Sequence, residues 1–296
     1  MGISVKIIAD SVGPSGKRLT SFELCYPRFI HSELMTHRAL SRNASSSRAI
    51  PIEKMIKRVL DDPAIPTQWG GNQKGMQAAG EVDDPAGALK AWLEARDAAV
   101  HHARVLAGYG LHKQIVNRVL EPFQHMVTLV TATEWANFFH LRYHKDAQPE
   151  FQVLARQMYE AYVAAEPEEL LAGEWHLPYV RPEDFEQVWA DLGRSGGWVE
   201  KREVDAVLKK VSVGRCARVS YVNQYGVRAL VDDIALYDRL MASADSGEPG
   251  HWSPMEHVAM ALNDPMQRGN LVGWLQYRKE FPNENTTIMP KLGGRP

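Results

Sequence analysis

Residues 36 to 48 read THRALSRNASSSR, and the side chains in that run suit one kind of chemistry. His37, Arg38 and Arg48 carry hydrogen-bond donors, while Ser41, Ser45, Ser46 and Ser47 add short hydroxyls that let a backbone come close to a ligand. A planar guanidinium fork matches paired phosphate oxygens, so an anion is the natural ligand. A solvated surface turn would use the same residues, and composition leaves the two readings evenly matched. A second stretch, GHWSPMEH at residues 250 to 257, sets two histidines, a glutamate and a tryptophan around Pro254. A rigid turn with flat side chains suits the wall of a planar cofactor, and it equally suits a capped helix or strand start. His140 and His144 stand four apart on an expected helix and could share a face as metal ligands. With no third ligand near in sequence, surface or hydrogen-bonding histidines are the better reading.

Other chemical signatures are missing from the sequence. It has no GxGxxG, P-loop, HExxH, CxxC or GxSxG pattern. Cys25 and Cys216 are too far apart for a disulfide framework and have no neighbouring histidine to activate a thiolate. The chain of 296 residues, 45% hydrophobic and with a formal net charge of −2, can bury a sizeable core and lacks the basic balance of a general nucleic-acid binder. Neither a signal-peptide core nor a membrane-spanning apolar run occurs, so the expected compartment is the cytoplasm, or a host's cytoplasm if a virus encodes the chain.

The elements that position these residues follow from hydrophobic period and punctuation. ISVKIIAD and LTSFELCY predict strands, and a helix is expected from Pro27 through RFIHSELMTHRAL, followed by the polar run as a loop. IEKMIKRVL predicts a short amphipathic helix, with Ile52, Met55, Ile56 and Val59 at helical spacing. The Gly- and Pro-rich residues 61–85 are too long for a simple connector. A long helix is expected from Ala86 to Leu106, ending at Gly108 and Gly110, with HKQIVNRVL continuing in helical style. MVTLVTATE predicts a buried strand, WANFFHLRYH and PEFQVLARQMYEAYVAA helices, and residues 166–197 an irregular region. EVDAVLKKVSVGRCARVSY and VDDIALYDRLMASA predict two further helices.

Three separate stretches together resemble the flavin-dependent thymidylate synthase family. That family carries RHRxxSxNExSxRY, and THRALSRNASSSRA matches it at His37, Arg38, Ser41, Asn43, Ser46 and Arg48, with Thr36, Ala44 and Ala49 in place of Arg, Glu and Tyr. Glu33, in the lead-in, stands where a glutamine is usual. TATEWANFFHLRYHKDAQPEFQVLA is similar to the family's second motif at Asn137, Arg142, Ala147, Gln148 and Glu150, and NRVLEP places Arg118 on a nucleotide-contacting arginine. GRCARVSY and GHWSPMEH resemble the AARVS and GHxSPFEH elements. These last two usually precede the RHR element and here follow it, as in a circular permutation, which surface termini tolerate.

The resemblance implies an α+β fold with helices packed on a central, largely antiparallel sheet. It implies a single catalytic domain over residues 1–296, with insertions near 61–85 and 166–197, in a homotetramer whose sites are shared between subunits. FAD would be the cofactor, with NADPH and methylenetetrahydrofolate as co-substrates and dUMP as the nucleotide. Arg142 and Ser46 would act at the reacting ring, and Glu33, Ser46, Arg48, Arg118 and Arg142 would bind the nucleotide. His37, Arg38, Ser41, Asn43, Asn137, Ser220, His251, Ser253 and Glu256 would contact the flavin. Thr131 and Thr133 stand where the family has flavin-contacting Asn and Arg, and Lys74 and Arg278 are candidates to replace the lost positive charge. WLQYRKEFPNEN faintly echoes the RHR motif and raises an additional half-site. A dCMP substrate or a hydroxymethyl product, a non-catalytic nucleotide-binding relative, and a single-strand binding module are the alternatives; near-neutral charge disfavours the last.

Overall fold

The computed structural model describes residues 2–194, 198–221, 229–245, 251–282 and 284–285. Two strands, β1 (Ser4–Val12) and β2 (Arg18–Pro27), form a hairpin whose turn uses Gly16 at φ 73°, a left-handed position that glycine takes without a Cβ clash. After β2 the chain makes a 3-10 turn at Arg28–Ile30 and one short helix, α1 (His31–Met35). This is less helix than the sequence suggested. The polar run is likewise more than a loop, because Ser41–Ala44 forms strand β3. Next come α2 (Ile52–Asp61), the irregular residues 61–85, α3 (Pro85–Gly108), α4 (Lys113–Val116), a 3-10 segment at Asn117–Phe123 and β4 (His125–Ala132).

Helices α5 (Ala136–Arg142) and α6 (Pro149–Ala164) follow as expected. The stretch expected to be irregular instead holds strands β5 (Glu168–Glu169) and β6 (Trp175–His176) and a full helix, α7 (Pro182–Gly193), while residues 195–197 lie outside the described set. Then come α8 (Lys201–Arg218), α9 (Leu230–Asp245), a 3-10 turn at Ser253–Glu256, and the short strands β7 (Ala259–Ala261), β8 (Gln267–Arg268), β9 (Leu271–Val272) and β10 (Trp274–Gln276).

The fold is α+β. Its main sheet runs β3-β4-β2-β1-β5, antiparallel throughout except for the short β1/β5 pair. Alternation along the strands assigns the two faces. Phe22, Leu24 and Tyr26 of β2 and Met126 and Val130 of β4 pack with Trp135, Phe138, Phe151 and Leu154 from α5 and α6 and the turn before α5. The opposite residues, Cys25, Val127 and Leu129, pack against Cys216 and Val219 at the end of α8. With both faces covered, β2 and β4 are apolar or buried at nearly every position. A second core joins α2 and α3 to the 3-10 segment through Met55, Ile56, Val100, Ala103 and Leu120. No helix among the described residues is long and apolar enough to cross a membrane.

Candidate functional site

The segment from β3 to α2 is polar because its groups are spent on tying three distant stretches together. Asn43 donates its side-chain N–H to the Cys216 carbonyl at 2.6 Å and accepts the Ser220 hydroxyl at 3.1 Å. The Ser46 backbone N–H donates to the Ser220 carbonyl at 2.9 Å, and that of Ser45 to Val127 at 2.8 Å. From below, the fully buried Asn117 donates to the carbonyls of Ser47 and Ile50 at 2.7 and 2.9 Å. Buried backbone groups need partners, and here side chains supply them where no ladder can.

What this bracing holds open is a cavity of about 620 Å³. One wall is Asn43 to Ala49, the second is Ala217, Ser220 and Tyr221 after α8, and the third is His251, Ser253 and Pro254. Arg118 and Gln114 close it from the α4 side, and Arg28 and Met126 from the sheet. Seven of the site residues that the resemblance implied, Asn43, Ser46, Arg48, Arg118, Ser220, His251 and Ser253, therefore share one cavity with Ser45 and Ser47. Gly250, which opens the GHWSPMEH stretch, lies outside the described residues, as does Asn283 of the C-terminal WLQYRKEFPNEN.

Charge in the cavity is one-sided. Three guanidiniums line it, from Arg28, Arg48 and Arg118, and no carboxylate is among the described lining residues. Glu121, set back from the lining, forms an ion pair with Arg28 at 2.9 Å and accepts from Arg118 at 2.8 Å, and so orients both. Arg48 is exposed and makes no ion pair among the described residues. Arg28 went unnoticed in the sequence because its role comes from Glu121, 93 positions away.

Arg142 sits elsewhere. Its guanidinium donates to the Glu33 carboxylate at 2.7 Å, to His37 Nε2 at 2.8 Å and to the Thr36 hydroxyl at 3.3 Å, and it lies over the Phe151 ring at 4.7 Å. An arginine Nε–H can only donate, so His37 Nε2 is an acceptor and the ring is neutral with its proton on Nδ1. Burial first, then the Arg142 and Arg42 charges, bring the His37 pKa down to about 4. Glu33, His37 and Arg142 thus form one preassembled cluster, and none of them lines the cavity.

The remaining sequence-derived residues divide. Ser41 is buried and accepts from Gln276, and Glu256 pairs with Arg278. Arg38, Asn137 and Lys74 are exposed and line none of the cavities described. No group of three His, Cys, Asp or Glu residues fit to hold a metal occurs among the described residues. Burial pushes the Cys25 thiol up to about 11 and Cys216 higher still, the reverse of what an activated nucleophile needs.

A comparison with protein families decides what this arrangement belongs to. The profile described as thymidylate synthase complementing protein matches residues 19–168, just over half of the chain. The chain belongs to the thymidylate synthase complementing protein family. No curated protein matches the sequence. Among solved structures, a UMP/dUMP methylase PolB from Streptomyces cacaoi bound with 5-Br UMP is similar at 19% identity and a TM-score of 0.46, covering 54% of this chain and 88% of that one. Thymidylate synthase X from Helicobacter pylori, with FAD and dUMP, is similar at 17% identity and a TM-score of 0.36, covering 49% and 67%.

Within this family the chain's departures have a structural cause. Thr131 is fully buried and bonded to Ser21 at 2.6 Å and to His257 Nδ1 at 2.8 Å. The Thr133 hydroxyl accepts the Val272 N–H at 3.1 Å. Both positions are therefore covered by the C-terminal segment of the same chain, and short hydroxyls are what that close docking accommodates. His257 of the GHWSPMEH stretch covers Thr131, and Val272 of the run NLVGWLQYRKEF covers Thr133.

Proposed function

We propose that this chain is a flavin-dependent thymidylate synthase, converting dUMP to dTMP with methylenetetrahydrofolate as carbon donor and NADPH-reduced FAD as hydride donor. One observation carries the reading: residues 43–49, 217–221 and 251–254, far apart in sequence, meet with Arg118 in a single cavity lined by three arginines and no described carboxylate. Family membership supplies the chemistry, and the cavity supplies a place for it.

The donor set fits phosphate-bearing ligands. Guanidiniums from Arg28, Arg48 and Arg118 and the Ser46 hydroxyl suit phosphate oxygens, and Tyr221, Pro254 and Met126 offer apolar wall to a ring system. Ser46 has no base beside it and acts as a binder. A bound, reduced flavin supplies the hydride, and the protein positions and polarises. His251, Ser253 and Ser220 form the wall proposed for the flavin, with Glu256 held immediately behind it.

Arg142 would stabilise negative charge that develops on the uracil ring. Since Arg142, Glu33 and His37 lie apart from the cavity of their own chain, we assign them to the cavity of a neighbouring subunit in a homotetramer with shared sites. Residues 1–296 would then act as one catalytic domain, residues 61–85 being an insertion and 166–197 an insertion that carries α7.

Binding separates the reading from its rivals. Isothermal titration should show dUMP bound by the FAD-loaded protein, with an Arg48→Ala variant binding about tenfold or more weakly, as expected for loss of a charge-assisted contact. Protein that takes up no added FAD and shows no flavin absorption band would remove the cofactor assignment. Tighter binding of dCMP than of dUMP would move the substrate.

A further inference from the structure

Two residues of the C-terminal run WLQYRKEF grip both flavin-side stretches at once. Gln276 ends β10, is 3% exposed, and donates from Nε2 to the Ser41 hydroxyl at 2.9 Å and to the Glu256 carbonyl at 3.1 Å. One buried amide thereby pins the start of β3 to the Ser253–Glu256 turn, across a sequence gap of more than 200 residues. Two positions on, the Arg278 guanidinium pairs with the Glu256 and Glu284 carboxylates and donates to the Glu284 carbonyl at 3.2 Å. Lys279 closes the cluster on Glu284 at 2.5 Å. The hold is tight on the far side as well: a Cβ at Gly269 would come within 2.9 Å of Gln276 Oε1.

We propose that Gln276 and Arg278 are positioning residues for the cofactor side of the site, fixing Ser41 and Glu256 so that the turn carrying Ser253 faces the cavity in one geometry. This inference rests on the flavin reading above. A carboxylate held by an arginine is fixed in direction, whereas a free glutamate on a short 3-10 turn would sample several rotamers. Arg278 acts through Glu256 and does not itself line the cavity.

The test uses the full chain and its affinity for FAD, measured by quenching of flavin fluorescence, beside its affinity for dUMP and its melting temperature. Arg278→Gln should weaken FAD binding about tenfold, shift the flavin absorption maximum and leave dUMP affinity within twofold, because the nucleotide-side arginines lie on other elements. Arg278→Lys should restore part of the FAD affinity, which a loss of general stability would not explain. Gln276→Glu should act in the same direction, since it retains shape while setting a carboxylate against the Glu256 carbonyl. Should Gln276→Glu fail to fold, the partly exposed Arg278 pair still decides the matter. FAD affinity within twofold of the parent in both Arg278 variants, or equal losses in FAD and dUMP binding, would overturn the positioning role. A parent protein that binds no FAD would instead overturn the flavin reading, and this inference with it.

Discussion

At the scale of single residues, the fold fixes the protonation of His37, which accepts from Arg142. Its folded pKa of about 4 lies below the ordinary 6.5, so the folded state binds fewer protons than the unfolded one between those values. Stability is therefore unaffected above about pH 6.5 and falls as pH drops from there toward 4. His31, also lowered to about 4 by burial, adds to the same window. His37→Gln, which keeps an acceptor for Arg142, should make the fall in melting temperature across that range shallower; an unchanged slope would show that His37 contributes nothing to it. Arg142→Ala should leave Glu33 without its partner and weaken dUMP binding strongly, and an unchanged dissociation constant would take Arg142 out of the site. Sequence alone showed Ser46, Arg48 and Arg118 but not Arg28, since an arginine in a lead-in to a helix looks ordinary until Glu121 is seen to orient it.

Among the elements, the helices α2, α3, α5 and α6 were legible from composition and apolar spacing, and the strands β1, β2 and β4 from β-branched and apolar runs bounded by turn residues. β3 was not, since Ser-Arg-Asn-Ala carries no strand preference; it exists because the outer edge of β4 offers it unpaired backbone groups. Helix α7 was hidden for a different reason. Phe185 and Trp189 lie half exposed on it, while buried Asp184 is held by Arg215 of α8 through two bonds, so its apolar pattern does not match its buried face. Arg215 and Arg218 also both reach the buried Asp233 of α9, which locks α7, α8 and α9 into one unit behind the cavity wall at Ser220. The contact between α8 and α9 is close enough that a Cβ at Gly214 would lie 2.3 Å from the Asp233 carbonyl oxygen. Gly214→Ala gains about 1 kcal/mol of helix propensity and loses about 1–3 kcal/mol to overpacking against backbone that cannot yield. The variant should melt at a lower temperature, and a stabilised variant would show that the two helices are not so tightly apposed.

Over the whole molecule, the separation of the Arg142 cluster from the arginine-lined cavity is the feature with the largest consequence. If each site draws on two subunits, Arg48→Ala and Arg142→Ala variants, each inactive alone, should regain activity when mixed under conditions that exchange subunits, because some mixed sites then carry both arginines. Mixtures as inactive as their parts would place both residues at one site within a chain. The C-terminal segment returns across β4 and brings the Ser253–Glu256 turn to the start of β3. The most direct test of the function is product formation by the purified chain with FAD, NADPH, methylenetetrahydrofolate and either dUMP or dCMP, read by mass spectrometry. The account predicts dTMP from dUMP, lost when FAD is withheld and in Arg142→Ala. A flavin-loaded protein that binds dUMP yet leaves both nucleotides unmodified would contradict it.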